Sequence, residues 1–257
     1  MDRNPTGKAA ALILGYALII GFVDCGVRFI AREISLWQFH LLRGLIALPL
    51  MIAAARALGF RLWPRNLRPV VARSLVQGFA MLLYFGSLGF LPLPQVVAGL
   101  FTAPIFVLLI VRLVYGDPIG PVRIIAVGLG FVGILLALRP FQNGGISMLM
   151  MVPVAAGFFY GLANIATRRW CEGETAETLT FGFFTALALS GVIGTLYLLI
   201  WPATPAGGPA AFLQHPAAMP SPTVWAWVIA QAIGSVVGVT MMMRAYQLIE
   251  TSRAAGA

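Results

Sequence analysis

Eight nearly uncharged apolar runs divide this chain from end to end, and they decide what it can fold into. They cover roughly Ala11–Ile30, Leu36–Ala57, Val70–Phe90, Gln95–Tyr115, Val122–Leu138, Ile146–Thr167, Leu179–Trp201 and Val224–Ile249. A hydrocarbon layer about 30 Å thick takes about 20 residues of helix to cross, so each run suits one span. In lipid every backbone N–H and C=O must be satisfied internally, which leaves helices or a closed barrel. Barrel strands would be about 9 to 11 residues long with alternating polarity, and these runs are longer and continuous. The sequence therefore predicts an all-α fold, a polytopic membrane helix bundle of about eight transmembrane helices.

Composition agrees. The chain is 60% hydrophobic and 10% charged over 257 residues, with mean hydropathy +0.92, too few polar groups to coat a water-soluble globule. A net charge of +9 raises the question of nucleic acid. The basic residues, however, sit between apolar runs and form no stripe or tail, so no nucleic-acid partner is expected. All but Lys8 are arginine, a mark of a GC-rich bacterial genome.

The arginines instead set topology. With a cytoplasmic amino terminus, that side collects Arg3, Lys8, Arg56, Arg61, Arg65, Arg68, Arg73, Arg112, Arg123, Arg168, Arg169, Arg244 and Arg253. The other side collects Arg28, Arg32, Arg43 and Arg139, a split of 13 to 4 among the 17 Lys+Arg, in the sense of the positive-inside rule. The longest connection, Pro202 to Pro222, has no Lys or Arg and is expected outside. Both termini are then cytoplasmic, in a multi-pass protein of the cell (inner) membrane. Trp37, Trp63, Trp201, Trp225 and Trp227 lie near span ends, where interfacial anchors belong. The amino terminus resembles a secretory signal but lacks a small-residue cleavage site, so the first span is expected to stay. Cys25 and Cys171 give no disulfide framework.

Charges inside spans are the most informative residues, because one at the bilayer centre costs about 2.5–3.5 kcal/mol unless it pairs or meets water. Asp24 lies about 9 Å below the outer end of the first span and Arg43 about 10 Å below that of the second. The short turn between these spans makes them a hairpin, so the two charges meet at similar depth and an ion pair is expected. Arg28, one turn above Asp24, offers a competing partner, and His40 lies one turn above Arg43. A purely structural clasp is the other reading of this group. Polar residues recur at helical spacing elsewhere: Gln77 with Tyr84, Tyr160 with Asn164, and Gln231 with Ser235. If these stripes face one another they line a substrate cavity; each pair taken alone is more often an interhelical hydrogen bond than a ligand contact.

Catalytic signatures are missing. The sequence holds no HExxH, GxSxG or P-loop and no metal-spaced His/Cys cluster, so an enzyme, a metal and a cofactor are all unexpected. Gly128, Gly130 and Gly133 match a dinucleotide-fold spacing but sit inside an apolar span, where close helix packing is the expected role. Gly157 with Gly161, and Gly234 with Gly238, have the same character. Glu172, Glu174 and Glu177 read as a solvated acidic patch with helix-cap duty.

Internal similarity points to a repeat. A shift of 157 positions places Gln95-Val96-Val97-Ala98-Gly99 over Ser252-Arg253-Ala254-Ala255-Gly256, equating the eighth span with the third and the sixth and seventh with the first and second. In this order and spacing several marks recur: Arg43-Gly44, Ser87 through Ala98-Gly99 to Pro104, the glycine-rich fifth span, Tyr160-Gly161 to Arg168-Arg169, and Arg244-Ala245 to Ala254-Ala255. With these marks the chain resembles the drug/metabolite transporter superfamily, specifically its EamA-type members. Gly116-Asp117 stands where many of them carry Gly-Glu.

The resemblance implies ten helices in two inverted repeats of five. Here that becomes an incomplete 5+3 arrangement, residues 1–140 as the first repeat and 141–257 as a second one lacking its last two helices. It further implies a secondary transporter exporting or exchanging small metabolites, amino-acid-like or drug-like, by alternating access between two helix bundles. The substrate path would involve Asp24, Arg28, His40, Arg43, Gln77, Tyr84, Tyr160, Asn164, Gln231 and Ser235. The expected partners are a small-molecule substrate, membrane lipid and, compatibly, further copies of the chain. The alternative is a truncated or accessory membrane subunit without transport of its own.

Overall fold

The structure, a computed structural model, describes residues 5–138, 148–202 and 210–254. Arg3, Arg139, Ala255, Gly256 and the middle of the long connection after Pro202, on which parts of the topology and repeat expectations rest, lie outside the described residues.

The described residues are helical with no strand. Eleven α-helices follow in order: α1 Pro5–Cys25, α2 Val27–Ile30, α3 Leu36–Leu58, α4 Leu67–Ser87, α5 Leu93–Leu100, α6 Ala103–Leu113, α7 Pro121–Leu138, α8 Met151–Arg169, α9 Ala176–Ile200, α10 Ala211–Gln214 and α11 Pro222–Ala254. Seven spans among them are long and apolar enough to cross a membrane. The expected fifth span corresponds to α7, an apolar helix that is the shortest of the set. The protein is thus a polytopic helical bundle.

Local chemistry explains the boundaries. The Ser35 hydroxyl accepts from Gln38 N at 3.2 Å and caps α3, which ends at Gly59 in the left-handed conformation (φ 71°) that glycine adopts at least cost. Thr175 caps α9 in the same way, through Thr178 N at 3.2 Å. Two spans are not single helices. The first breaks at Gly26, and the fourth, expected as one run, breaks between α5 and α6 at Phe101 and Thr102. Pro104 has no N–H for the carbonyl four residues back, and Thr102 Oγ1 donates to Gly99 O at 2.6 Å across the break.

Two compact units are present. The first comprises the described residues of Met1–Arg65, Gly173–Pro202 and Pro216–Ala257; the second those of Asn66–Glu172 and Ala203–His215. In the first unit α1 packs along α11 and α3 along α9, with α11 also against α3. In the second, α8 packs against α4, α5 and α6. Each unit therefore draws helices from both sides of residue 140.

Glycines set the close approaches. A side chain on Gly44 would meet Ala188, one on Gly191 would fall on the α3 backbone at Trp37 O and His40 C, and one on Gly194 would enter the Trp37 ring. Trp37, expected as an interfacial anchor, thus also packs between helices. In the second unit Gly99 lies against Pro153, Gly157 against Thr102, and Gly161 against Ala103 O. Gly234 and Gly238 face Val23 and Ile20. The close packing expected of Gly157, Gly161, Gly234 and Gly238 is present. For Gly128, Gly130 and Gly133 it is not: among the described residues nothing lies within 4 Å of a Cβ built on any of them. Small residues permit close approach, but an approach also needs a neighbouring helix on that face, and α7 presents these glycines outward.

Candidate functional site

In the first unit, Asp24 occupies the last turn of α1, just before the Gly26 break, and is only 5% exposed. Gly234 and Gly238 let α11 lie close enough to α1 to bring Gln231 to it. The Gln231 amide donates to Asp24 Oδ1 at 2.7 Å, and Ser235, one turn along α11, donates to Gln231 Oε1 at 2.8 Å. The stripe expected on the eighth span therefore ends on the charge expected in the first. Every donor in this chain points toward the carboxylate, so each bond polarises the next. Above it the Trp227 ring lies over Gly26 and stacks on Phe29, with centroids 5.9 Å apart.

Arg43 on α3 is 3% exposed. Its guanidinium lies 5.0 Å from the Phe184 ring centroid and 5.7 Å from that of Phe39, within the range of cation–π attraction. His40, one turn away, is fully buried with its ring 4.9 Å from Phe39. Arg28 does not share this environment. It is exposed on α2, and the break at Gly26 separates it from the buried face that carries Asp24.

The second unit holds the remaining expected residues. Gln77 and Tyr84 are buried on α4, and the Tyr84 ring meets Phe85 edge-on at 5.2 Å. Tyr160 and Asn164 are half-buried on α8. Arg73, counted on the cytoplasmic side by the arginine distribution, is not a surface residue. It is 1% exposed inside α4, and its Nε donates to Thr167 Oγ1 at 2.9 Å. The signal available in sequence was its spacing, one turn before Gln77 on the same helical face.

Charged pairs at other span ends fasten the helices. Asp117 and Arg169 form an ion pair, and the Arg169 guanidinium lies 4.0 Å from the Tyr115 ring centroid. Glu177, expected as part of a solvated patch, is mostly buried and pairs with Arg244 at 2.7 Å. Glu33 accepts from Ser221 N and Oγ at 2.9 and 2.8 Å, and Gln38 exchanges two hydrogen bonds with the Ala218 backbone. Among the described residues no group of His, Cys, Asp and Glu could hold a metal ion.

Buried ionisable groups in lipid-crossing helices belong to channels and transporters more than to structural bundles. Comparison with known proteins makes this specific: the EamA-like transporter family matches residues 7–139. The chain belongs to that family. Among curated relatives, a riboflavin transporter of Rhizobium johnstonii is 29% identical over 145 residues, covering 56% of this chain and 45% of that protein. An uncharacterized transporter of Synechocystis is 29% identical over 178 residues, covering 63% and 52%. The chain thus spans about half the length of the curated relatives it matches. A crystal structure of 18% identity superposes with TM-score 0.66 over 95% of this chain and 81% of that one, a likeness of fold. The EamA marks noted in the sequence now have physical roles, since Gly44, Gly99 and Gly161 are points where helices touch through backbone.

Proposed function

We propose that this EamA-family chain is a secondary transporter that exports or exchanges a small polar metabolite across a bacterial inner membrane by alternating access. The observation that carries the reading is Asp24, buried in a lipid-crossing helix with Gln231 and Ser235 aligned behind it. Such groups mark substrate or ion paths because their desolvation is tolerated only where polar partners or water replace the membrane. Arg43 supplies a cation for an anionic or electron-rich group, and Asp24 an anion for an ammonium or N–H donor. Amino-acid-like zwitterions suit that pairing. So does a flat heterocycle with ring N–H and carbonyl groups, the chemistry of the riboflavin for which the Rhizobium relative is named.

We assign His40 to the same path, with Arg28 at its exposed margin; Gln77 and Tyr84 on α4 and Tyr160 and Asn164 on α8 are assigned to substrate handling within the second unit. The arginine distribution supports cytoplasmic termini. An inverted repeat, residues 1–140 and 141–257, is supported by packing: equating α1 with α8 and α4 with α11 maps the α1–α11 contact onto the α8–α4 contact.

The test is uptake into proteoliposomes of labelled riboflavin and a panel of amino acids, with and without a proton gradient. Saturable accumulation of at least one solute above protein-free liposomes is expected. If folded, reconstituted protein moves none of them, the reading fails.

A further inference from the structure

Beyond the Asp24 and Arg43 region, α4 carries a second cluster. Arg73, Ser74 and Gln77 lie within one turn and a residue of each other, so Arg73 and Gln77 project from one face with Ser74 beside them. Exposures are 1%, 3% and 2%. Neither α4 nor α8, against which it packs, contains an acidic residue. Thr167 fixes one edge of the guanidinium: its hydroxyl accepts from Arg73 Nε and donates to Ala163 O at 2.8 Å. Two polar atoms on the same stretch of α4, Ser74 Oγ and Gln77 Oε1, are buried without a hydrogen-bond partner among the described residues. Buried polar groups are almost always satisfied, and the exceptions call for an occupant. Inside a membrane span, where stray water is scarce, that demand is stronger.

We propose that Arg73, Ser74 and Gln77 form an anion site in the second unit for an oxyanion that also carries a hydrogen-bond donor, such as a phosphate monoester or a hydroxycarboxylate. The guanidinium binds the charged oxygens, as its planar fork suits. The Ser74 hydroxyl donates to the same group, and Gln77 Oε1 accepts from the ligand's own O–H. This assignment rests on the transporter reading for its purpose but not for its chemistry: within a transporter it would be an anion site of the second unit, additional to Arg43.

Thermal unfolding of the purified full chain, followed by tryptophan fluorescence, tests it with inorganic phosphate as the probe. Near neutral pH phosphate retains an O–H whereas sulfate does not, so at equal ionic strength phosphate is expected to raise Tm saturably and more than sulfate. Arg73→Gln abolishes the shift. Ser74→Ala and Gln77→Met raise the anion-free Tm, because each removes an unsatisfied buried atom, yet shrink the phosphate shift. Gln77→Met also erases the preference over sulfate. Arg168→Gln, on an exposed residue of α8, leaves the shift intact.

Absence of a phosphate-specific shift in the wild-type chain overturns the proposal. A shift undiminished in Arg73→Gln and Gln77→Met does so too, marking an adventitious ion only. Should Arg73→Gln not fold, Ser74→Ala and Gln77→Met decide. Failure of uptake alongside an intact, Arg73-dependent shift sinks the transport reading and leaves this site standing; uptake without the shift does the reverse.

Discussion

Gln231 Nε2 lies 2.7 Å from Asp24 Oδ1, joining the last turn of α1 to the first third of α11 although 207 positions separate the two residues in the chain. Two glycines on α11 make this approach available, and the Ser235 hydroxyl completes the line of donors. Replacing Gln231 with Leu leaves a buried carboxylate without its amide donor, at a cost of about 1–3 kcal/mol. Ser235→Ala removes only the outer bond and is expected to cost about 0.5–1.5 kcal/mol. Thermal unfolding in one detergent, comparing both variants with wild type, checks the order.

Two glycine replacements should part company. A methyl group at Gly191 falls on the α3 backbone, which cannot yield as a flexible side chain would, so Gly191→Ala is expected to cost at least about 1–3 kcal/mol. Among the described residues, Gly130 has nothing within 4 Å of its added Cβ. Gly130→Ala should be neutral or stabilising by about 0.5–1 kcal/mol through helix propensity. Equal loss of folded protein in both would contradict the packing described.

The pair between Glu177 and Arg244 is short, but more than half of the Arg244 side chain is exposed. Solvent screening then limits its coupling to about 0–1 kcal/mol. A double-mutant cycle with Glu177→Gln and Arg244→Gln, repeated at high salt, should return a small value that shrinks further.

Gln38 ties α3 to the segment before α11 by giving and receiving a hydrogen bond at Ala218, where Glu33 also holds Ser221. Gln38→Ala removes both bonds, a loss of about 1–2 kcal/mol. Amide exchange should accelerate locally at residues 216–221 while exchange in α4 stays unchanged.

Much of the fold was legible because lipid leaves few options: a long apolar run must be helical, so seven of the eight runs correspond to helical spans long enough to cross a membrane and the fifth to the shorter apolar helix α7. Asp24 and Arg43 were legible for the same reason, as charges where hydrocarbon should be. Arg73 was not, because an arginine near the start of a run reads the same whether it snorkels outward or turns inward to Thr167. Gly128, Gly130 and Gly133 misled in the opposite direction, since small-residue spacing reports a permitted contact and not the neighbour that makes it. The break in the fourth span had a signal, Thr102 followed by Pro104, but it disappears into the surrounding hydrophobicity. Glu177 pairs with a residue 67 positions away, which no local pattern specifies.

The most direct test of the central claim is the initial uptake rate of a transported solute in proteoliposomes carrying equal amounts of folded wild-type, Asp24→Asn and Arg43→Gln protein. The account predicts that Asp24→Asn, which keeps the size of the side chain and its hydrogen bond from Gln231, folds yet loses at least about tenfold in rate, a transition-state loss of about 1.4 kcal/mol. Wild-type rates in both variants, with folding intact, would contradict it and leave the buried charges a purely structural clasp.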